Sequence, residues 1–351
     1  MLDPSAYVGR EQTYLKHFVL ENYLERVAYN IFSFQDQFVY VDGFSGPWKS
    51  KDQTYEDTSF KIATDKLLAV QQDMKDSKNK SVNFRCLFIE KEPSVFRELE
   101  RTVGDLEGIN IKLVNGAFED SVSSICDFAQ GSFSLIFIDP TGWQGFAMER
   151  IKALLNLRGE ILINFMSDFI NRFIEDPRPE IAATFDELFG PDWFDEWKQL
   201  NGEGLSREAA AVEVYTARLK KHGNFKYVTS TRILKPLADR SYFYLIYATE
   251  HWKGIQEFRQ IEKKAINEQD VVRDVAKFSA KAEKSGQSDL FGTGLVEGNV
   301  MPFEREREQQ LQRGLDRFQA ELGCNPTGIK YEELLGEVLE TPLVWEKDLK
   351  K

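Results

Sequence analysis

Short apolar runs in this 351-residue chain end repeatedly in side chains able to do chemistry. Phe38-Val39-Tyr40-Val41 closes on Asp42 and turns through Gly43-Phe44-Ser45-Gly46-Pro47-Trp48. A carboxylate at a strand end followed by glycines lets backbone approach a ligand closely, and a helix entry beyond it would offer free amides to a carboxylate. The next run, Leu87-Phe88-Ile89, stops at Glu90, whose carboxylate offers two acceptors and no competing donor, the chemistry that holds both hydroxyls of a ribose. Val114-Asn115 leads into Gly116-Ala117-Phe118-Glu119-Asp120, where Phe118 is expected to pack on a purine ring. Ile136-Phe137-Ile138 ends at Asp139-Pro140-Thr141-Gly142-Trp143. There the carboxylate and the proline carbonyl can accept hydrogen bonds from a target NH2, and Trp143 can stack on a flat substrate. Asn164 ends a fifth run and points toward the same face, with Ser167 and Asp168 as helix caps beside it.

These runs must be strands for their ends to meet. Residues 38–42, 84–90, 109–115, 133–139 and 160–165 are short and rich in β-branched and aromatic residues, and the stretches 58–70, 94–103, 121–128 and 146–155 between them carry helical periodicity. Alternation of strand and helix predicts a parallel sheet with right-handed crossovers. A long amphipathic helix over 10–32 precedes the sheet, and two facing runs, 226–234 and 242–249, predict a closing hairpin. Five parallel strands plus a hairpin predict an α/β fold of the Rossmann-like, seven-stranded class I methyltransferase kind. Asp42, Gly43, Phe44, Ser45, Gly46, Glu90, Gly116, Ala117, Phe118 and Asp139 are then expected to hold S-adenosylmethionine, and Asp139, Pro140 and Trp143 to serve the reaction. Many methyltransferases place an Asp after the third-strand glycine to bind adenine; here it is Ala117, so either adenine is read by the backbone with Phe118 on the ring and Glu119 or Asp120 substituting, or the pocket is weakened.

The interval from Asp42 to Glu90 is long, and residues 49–80 are read as a lid or substrate loop carrying Asp57-Thr58-Ser59. Residues 168–206 are acidic and aromatic and precede a helix over 206–221, while basic residues dominate 207–264. The expected organisation is a methyltransferase-like domain over 1–278, a Gly/Ser-rich linker over 279–302, and a small helical or winged-helix-like module over 303–351. A net charge of −12 argues against nonspecific coating of nucleic acid, and the acidic tail is a poor footprint for a duplex, although a local nucleic-acid contact stays open. Cys86, Cys126 and Cys324 lack metal-binding spacing, so no metal is expected. With no leader pattern at the start and no run long enough to span a bilayer, the chain is expected to be cytoplasmic with no membrane contact.

The runs Val8-Gly9-Arg10-Glu11-Gln12, Lys16-His17 and Tyr23-Leu24, the turn from Asp42 to Trp48, Asp57-Thr58-Ser59, Asp139 to Trp143 and Thr249-Glu250-His251-Trp252 together resemble the three-Cys-motif partner family over residues 6–252. That resemblance implies a class I methyltransferase-like fold, a radical-SAM-like partner bearing the three-cysteine motif, and in some members a winged-helix end. It brings no substrate. Two functions remain open: methyl transfer from S-adenosylmethionine to an amine of a nucleobase or similar planar molecule, and a noncatalytic partner subunit binding S-adenosylmethionine or a nucleotide, with a nucleic-acid-binding tail. Ala117 and the Thr141-Gly142 departure from the amine-methylation pattern favour the second.

Overall fold

The computed structural model describes residues 2–46, 55, 57–104, 106, 108–285 and 300–350, the side chains of 281–285 and 300–302 excepted. Helix α1 (Glu11–Phe32) leads into β1 (Gln37–Asp42); α2 (Ser59–Lys78), β2 (Asn83–Glu90), α3 (Pro93–Val103) and β3 (Asn110–Asn115) follow. Then come α4 (Val122–Ala129), β4 (Phe133–Ile138), the short α5 (Met148–Ile151) and β5 (Gly159–Phe165). Helices α6 (Ser167–Phe173), α7 (Pro179–Phe189), α8 (Trp193–Gly202) and α9 (Arg207–His222) separate β5 from the hairpin of β6 (Tyr227–Leu234) and β7 (Ser241–Thr249). The chain ends through α10 (Trp252–Ser285), α11 (Val300–Cys324) and α12 (Tyr331–Leu339).

The strands form one seven-stranded sheet in the order β3-β2-β1-β4-β5-β7-β6. The first five are parallel, and β7 inserts antiparallel between β5 and β6. This is the expected class I methyltransferase arrangement. Period-two alternation splits each central strand between two cores: Phe38 and Tyr40 of β1 face α1, α2 and α10, while Val39 and Val41 face α4 and α6–α9. Both faces are covered, as parallel strands require. Chain order reverses direction at β1, with β2 on one side and β4 on the other, and the crevice beyond the carboxyl ends at such a switch point is where open α/β sheets bind ligands.

Several expectations change. The 49–80 segment is not a loop throughout, because residues 59–78 form α2, buried through Phe60, Ala63 and Leu67 against α1; Pro47, Trp48 and 49–54 lie outside the described residues. The 146–155 helix shrinks to α5 and a 3-10 turn at Leu154–Asn156. Both margins of the 279–302 linker are helical, as the ends of α10 and α11, and 286–299 lie outside the described residues. Among the described residues of 303–350 there is no strand, so no wing accompanies α11 and α12. Helix α12 instead seats Leu335 and Leu339 in the main core, with Gly336 against the Tyr227 ring of β6. Among the described residues no helix is long and apolar enough to cross a membrane, and the three cysteines are free.

Candidate functional site

Register brings the strand-end acids together. Asp42 pairs with Phe88 on one side and Phe137 on the other, so Glu90 and Asp139 each stand two residues beyond it, flanking the switch point. Asn164 follows Ile163, which pairs with Ile138, and so stands beside Asp139.

Asp42 is fully buried. Its Oδ1 accepts the Phe44 N–H at 3.0 Å and its Oδ2 accepts the Ser59 hydroxyl at 2.6 Å, which ties β1 to the first turn of α2. Burial pushes its pKa up to about 6, against the lowering effect of those two hydrogen bonds. The turn after it is tight: Gly43 N–H donates to the Phe137 carbonyl at 2.9 Å, Ser45 N–H to the Ile89 carbonyl at 2.9 Å, and the Ser45 hydroxyl to the Asp42 carbonyl at 2.8 Å. A Cβ at Gly43 would stand 2.6 Å from the Phe118 ring, so glycine is required there. The amides of Gly43, Phe44 and Ser45 are thus all used within the protein, and the residues that follow Gly46 in the turn lie outside the described residues.

Glu90 is buried, and its Oε1 accepts the Glu92 N–H at 2.7 Å, which fixes the carboxyl at the end of β2. Asn115 donates to the Glu90 carbonyl at 2.8 Å and Gly116 N–H to the same oxygen at 3.1 Å, closing the β3 end over β2. Phe118 turns inward against Gly43 and Phe44 and is buried; sealing the glycine takes the ring face expected for adenine. Glu119 is occupied as well, accepting the Ala147 N–H at 2.7 Å and pairing with Arg150 at 3.0 Å, while Asp120 pairs with Arg150 at 2.5 Å. Both acids pin the segment after β4; neither is poised as the substitute adenine contact. Ala117 contributes its carbonyl to Ser121.

Asp139 is held from two sides. Its Oδ2 accepts a short charge-assisted hydrogen bond from Lys16 Nζ of α1, and its Oδ1 accepts Asn164 Nδ2 at 2.6 Å. The Lys16 and Asp139 side chains are 13% and 15% exposed. Pro140 is buried behind them. Trp143 donates its indole N–H to Thr184 Oγ1 at 3.0 Å and stacks on Phe185 with a centroid separation of 5.8 Å, beside Phe169 and Phe173. It is half-buried and anchors α6 and α7. Three buried atoms around this edge have no protein hydrogen-bond partner: Tyr40 OH, Asn164 Oδ1 and Ser167 Oγ.

Lys16 is not nominated by any strand end. Its signal is a basic pair, Lys16-His17, inside the otherwise apolar run Tyr14 to Leu20 of α1. His17 is buried with Nδ1 3.1 Å from Tyr7 OH, and burial, with the charges of Lys16 and Arg10, pushes its pKa well down. Arg10 pairs with Asp57 at 2.6 Å, fastening the start of α1 to the residues before α2.

No family model and no curated protein matches the chain. Among solved structures it is similar to a Legionella pneumophila protein of family-model DUF519, at 9% identity and a TM-score of 0.36, covering 66% of this chain and 84% of that one. It is also similar to loganic acid methyltransferase with SAH, at 10% identity and a TM-score of 0.33, covering 80% of this chain and 91% of that one. Overlaps this loose carry no argument about ligand or activity, and the fold assignment rests on the strand pairing.

Proposed function

We propose that the chain binds S-adenosylmethionine across the carboxyl ends of β2, β1 and β4 and transfers its methyl group to an amine of a planar substrate. The observation that carries this reading is the row of acids Glu90, Asp42 and Asp139 at three adjacent parallel strand ends flanking the switch point of a 3-2-1-4-5-7-6 sheet. Glu90 would accept the ribose hydroxyls, Asp42 would lie beneath the cationic sulfonium, and Asp139 with the Pro140 carbonyl would accept the N–H of the target amine. The transfer is an in-line displacement: the amine lone pair forms the N–CH3 bond as the S–CH3 bond breaks, sulfonium becomes thioether, and the proton of the resulting ammonium passes to solvent water. Its acceleration comes from positioning and from neutralising charge in a desolvated crevice. The radical-SAM-like partner implied by the sequence resemblance belongs to this reading as the source of context for the substrate.

One observation favours the noncatalytic alternative: each Asp139 oxygen already accepts a hydrogen bond, from Lys16 and from Asn164, so an arriving amine N–H must share an oxygen or displace a donor. Calorimetric titration with S-adenosylhomocysteine (SAH) tests the cofactor site. Replacing Glu90 by Ala removes a charged acceptor for two hydroxyls and should weaken binding by about 2–4 kcal/mol; equal affinity in both proteins removes Glu90 from the site. Transfer of labelled methyl into nucleic acid, protein and small-molecule fractions, with the partner present, separates enzyme from binding subunit.

A further inference from the structure

The amino-acid end of the cofactor is a zwitterion, and the two charges make opposite demands on this edge. Its ammonium and the sulfonium suit Asp42 and Glu90. Its carboxylate does not: it would arrive among three acids, at a turn whose amides at Gly43, Phe44 and Ser45 already donate to Phe137, Asp42 and Ile89. A cation must therefore meet it. Among the described residues, Arg10 is tied to Asp57 ahead of α2, and His17 is buried and held neutral. Lys16, on Asp139, stands at the β4 side of the switch point, one strand from Asp42 and two from Glu90. Two strand spacings are about 10 Å, so ribose at Glu90 and carboxylate at Lys16 occupy opposite ends of one extended ligand.

On the cofactor reading above, we propose that Lys16 is an exchange residue: its ammonium leaves Asp139 for the carboxylate of the bound cofactor, and the Asp139 oxygen it vacates becomes the acceptor for the substrate N–H, so that cofactor loading opens the substrate site. The parts suit an exchange. Lysine carries a point charge on a flexible stem with three rotatable donors, so it can change partners without a matching fork geometry. The pair is partly exposed, and one carboxylate replaces another, so the ammonium is never stripped of a counterion. Asn164 keeps its 2.6 Å bond to Oδ1 throughout and holds the Asp139 carboxyl in place. Binding is then ordered, cofactor before substrate, and Lys16 is a positioning residue for Asp139.

The test uses the full chain, with SAH and 5′-methylthioadenosine, a nucleoside thioether lacking the amino-acid end, titrated calorimetrically into wild type, Lys16→Met and Asp139→Asn. Lys16→Met should weaken SAH at least tenfold and leave 5′-methylthioadenosine within twofold. Asp139→Asn, which preserves shape, frees Lys16 and should strengthen SAH severalfold. A purely structural ion pair gives the opposite sign, with Asp139→Asn weakening SAH, and that result overturns the exchange, as does equal loss of both ligands in Lys16→Met. Wild type that binds neither ligand overturns the cofactor reading itself and this inference with it. Circular dichroism of both variants confirms that each is folded, and if Lys16→Met is not, the sign of the Asp139→Asn effect decides alone.

Discussion

At the β6 edge, Glu340 and Arg259 are buried ions whose hydrogen-bonding capacity is heavily used. Glu340 accepts the Val228 N–H at 2.7 Å and pairs with Lys220 at 2.8 Å and with Arg317. Arg259 donates to the carbonyls of Leu339 at 2.7 Å, Ser230 at 3.2 Å and Glu340 at 3.1 Å, and to Glu262 at 2.5 Å. This clasp caps the carboxyl end of α12 and gives an edge strand a partner, which satisfies exposed ladder groups and blocks pairing with another chain. At the carboxyl ends of β1, β4 and β5 the same kinds of side chain are left in tension. Asp42 has its pKa pushed up to about 6, and Tyr40 OH, Asn164 Oδ1 and Ser167 Oγ lack protein partners. The clasp ions are matched within the protein; at the proposed binding edge, charge and polarity are left for a ligand to match.

The clasp should be the more fragile of the two. Arg259→Met leaves the Glu262 carboxylate buried without its cation and removes the guanidinium donors to the Leu339 and Ser230 carbonyls, while the Glu340 carbonyl keeps the Thr229 hydroxyl at 2.8 Å. Breaking one side of a buried pair typically costs about 3–5 kcal/mol, and urea unfolding should show a loss of that size. A loss below about 1 kcal/mol would mean that α12 is held by its Leu335 and Leu339 contacts alone.

The ligand edge should respond in the other direction. A carboxyl whose folded pKa stands above its unfolded value contributes stability below the unfolded pKa and loses it as pH rises through the folded one. For Asp42 the window runs from 3.8 to about 6, worth on the order of 3 kcal/mol at neutral pH. Asn at this position keeps one acceptor and gives up the second, so part of that gain is offset. Asp42→Asn should therefore be more stable than wild type by about 1–2 kcal/mol at pH 7.5 and should show no gain at pH 4. A destabilised variant at both pH values would move Asp42 into the class of the clasp.

How much of this contrast is legible in the sequence depends on whether a feature is local. Strands β1, β2, β4 and β5 read directly from apolar runs, and their terminal acids from position, because the end of a parallel strand fixes where a side chain stands. Occupancy does not read. Nothing local says that the Gly43 and Ser45 amides are spent, that Trp143 bonds Thr184, or that Glu119 reaches Ala147, since each partner is distant in the chain; only the Phe44 amide, bonded to Asp42 two residues before it, is a local turn. Lys16 sits on a helix that periodicity identifies as amphipathic, yet only the packing of α1 over the sheet sets it on Asp139. Helix α10 was within reach, since Ile255, Phe258, Ile261, Ala265 and Val272 repeat at helical spacing, but its dense charges mask the stripe. The docking of α12 was not, because an amphipathic helix announces an apolar face without naming what the face meets.

The smallest effect sharpens the comparison most, because it asks whether the tension at Asp42 is relieved by the proposed ligand. SAM and SAH share every group except the methyl that makes the sulfur cationic. If Asp42 lies beneath that sulfur, SAM gains attraction only where Asp42 is ionised, and SAM binding must in turn pull its pKa down from about 6. The ratio of SAM to SAH affinity should rise severalfold between pH 5 and pH 7.5, with the steepest change near 6. Near pH 6, SAM binding should also release a fraction of a proton that SAH does not, read as a dependence of the calorimetric heat on buffer ionisation enthalpy. Other groups titrate in this range, so Asp42→Asn is the control: its ratio should be flat and its excess proton release zero. A ratio that rises equally in the Asn variant assigns the effect to another group and leaves Asp42 as a buried acid that ties β1 to α2 through Ser59.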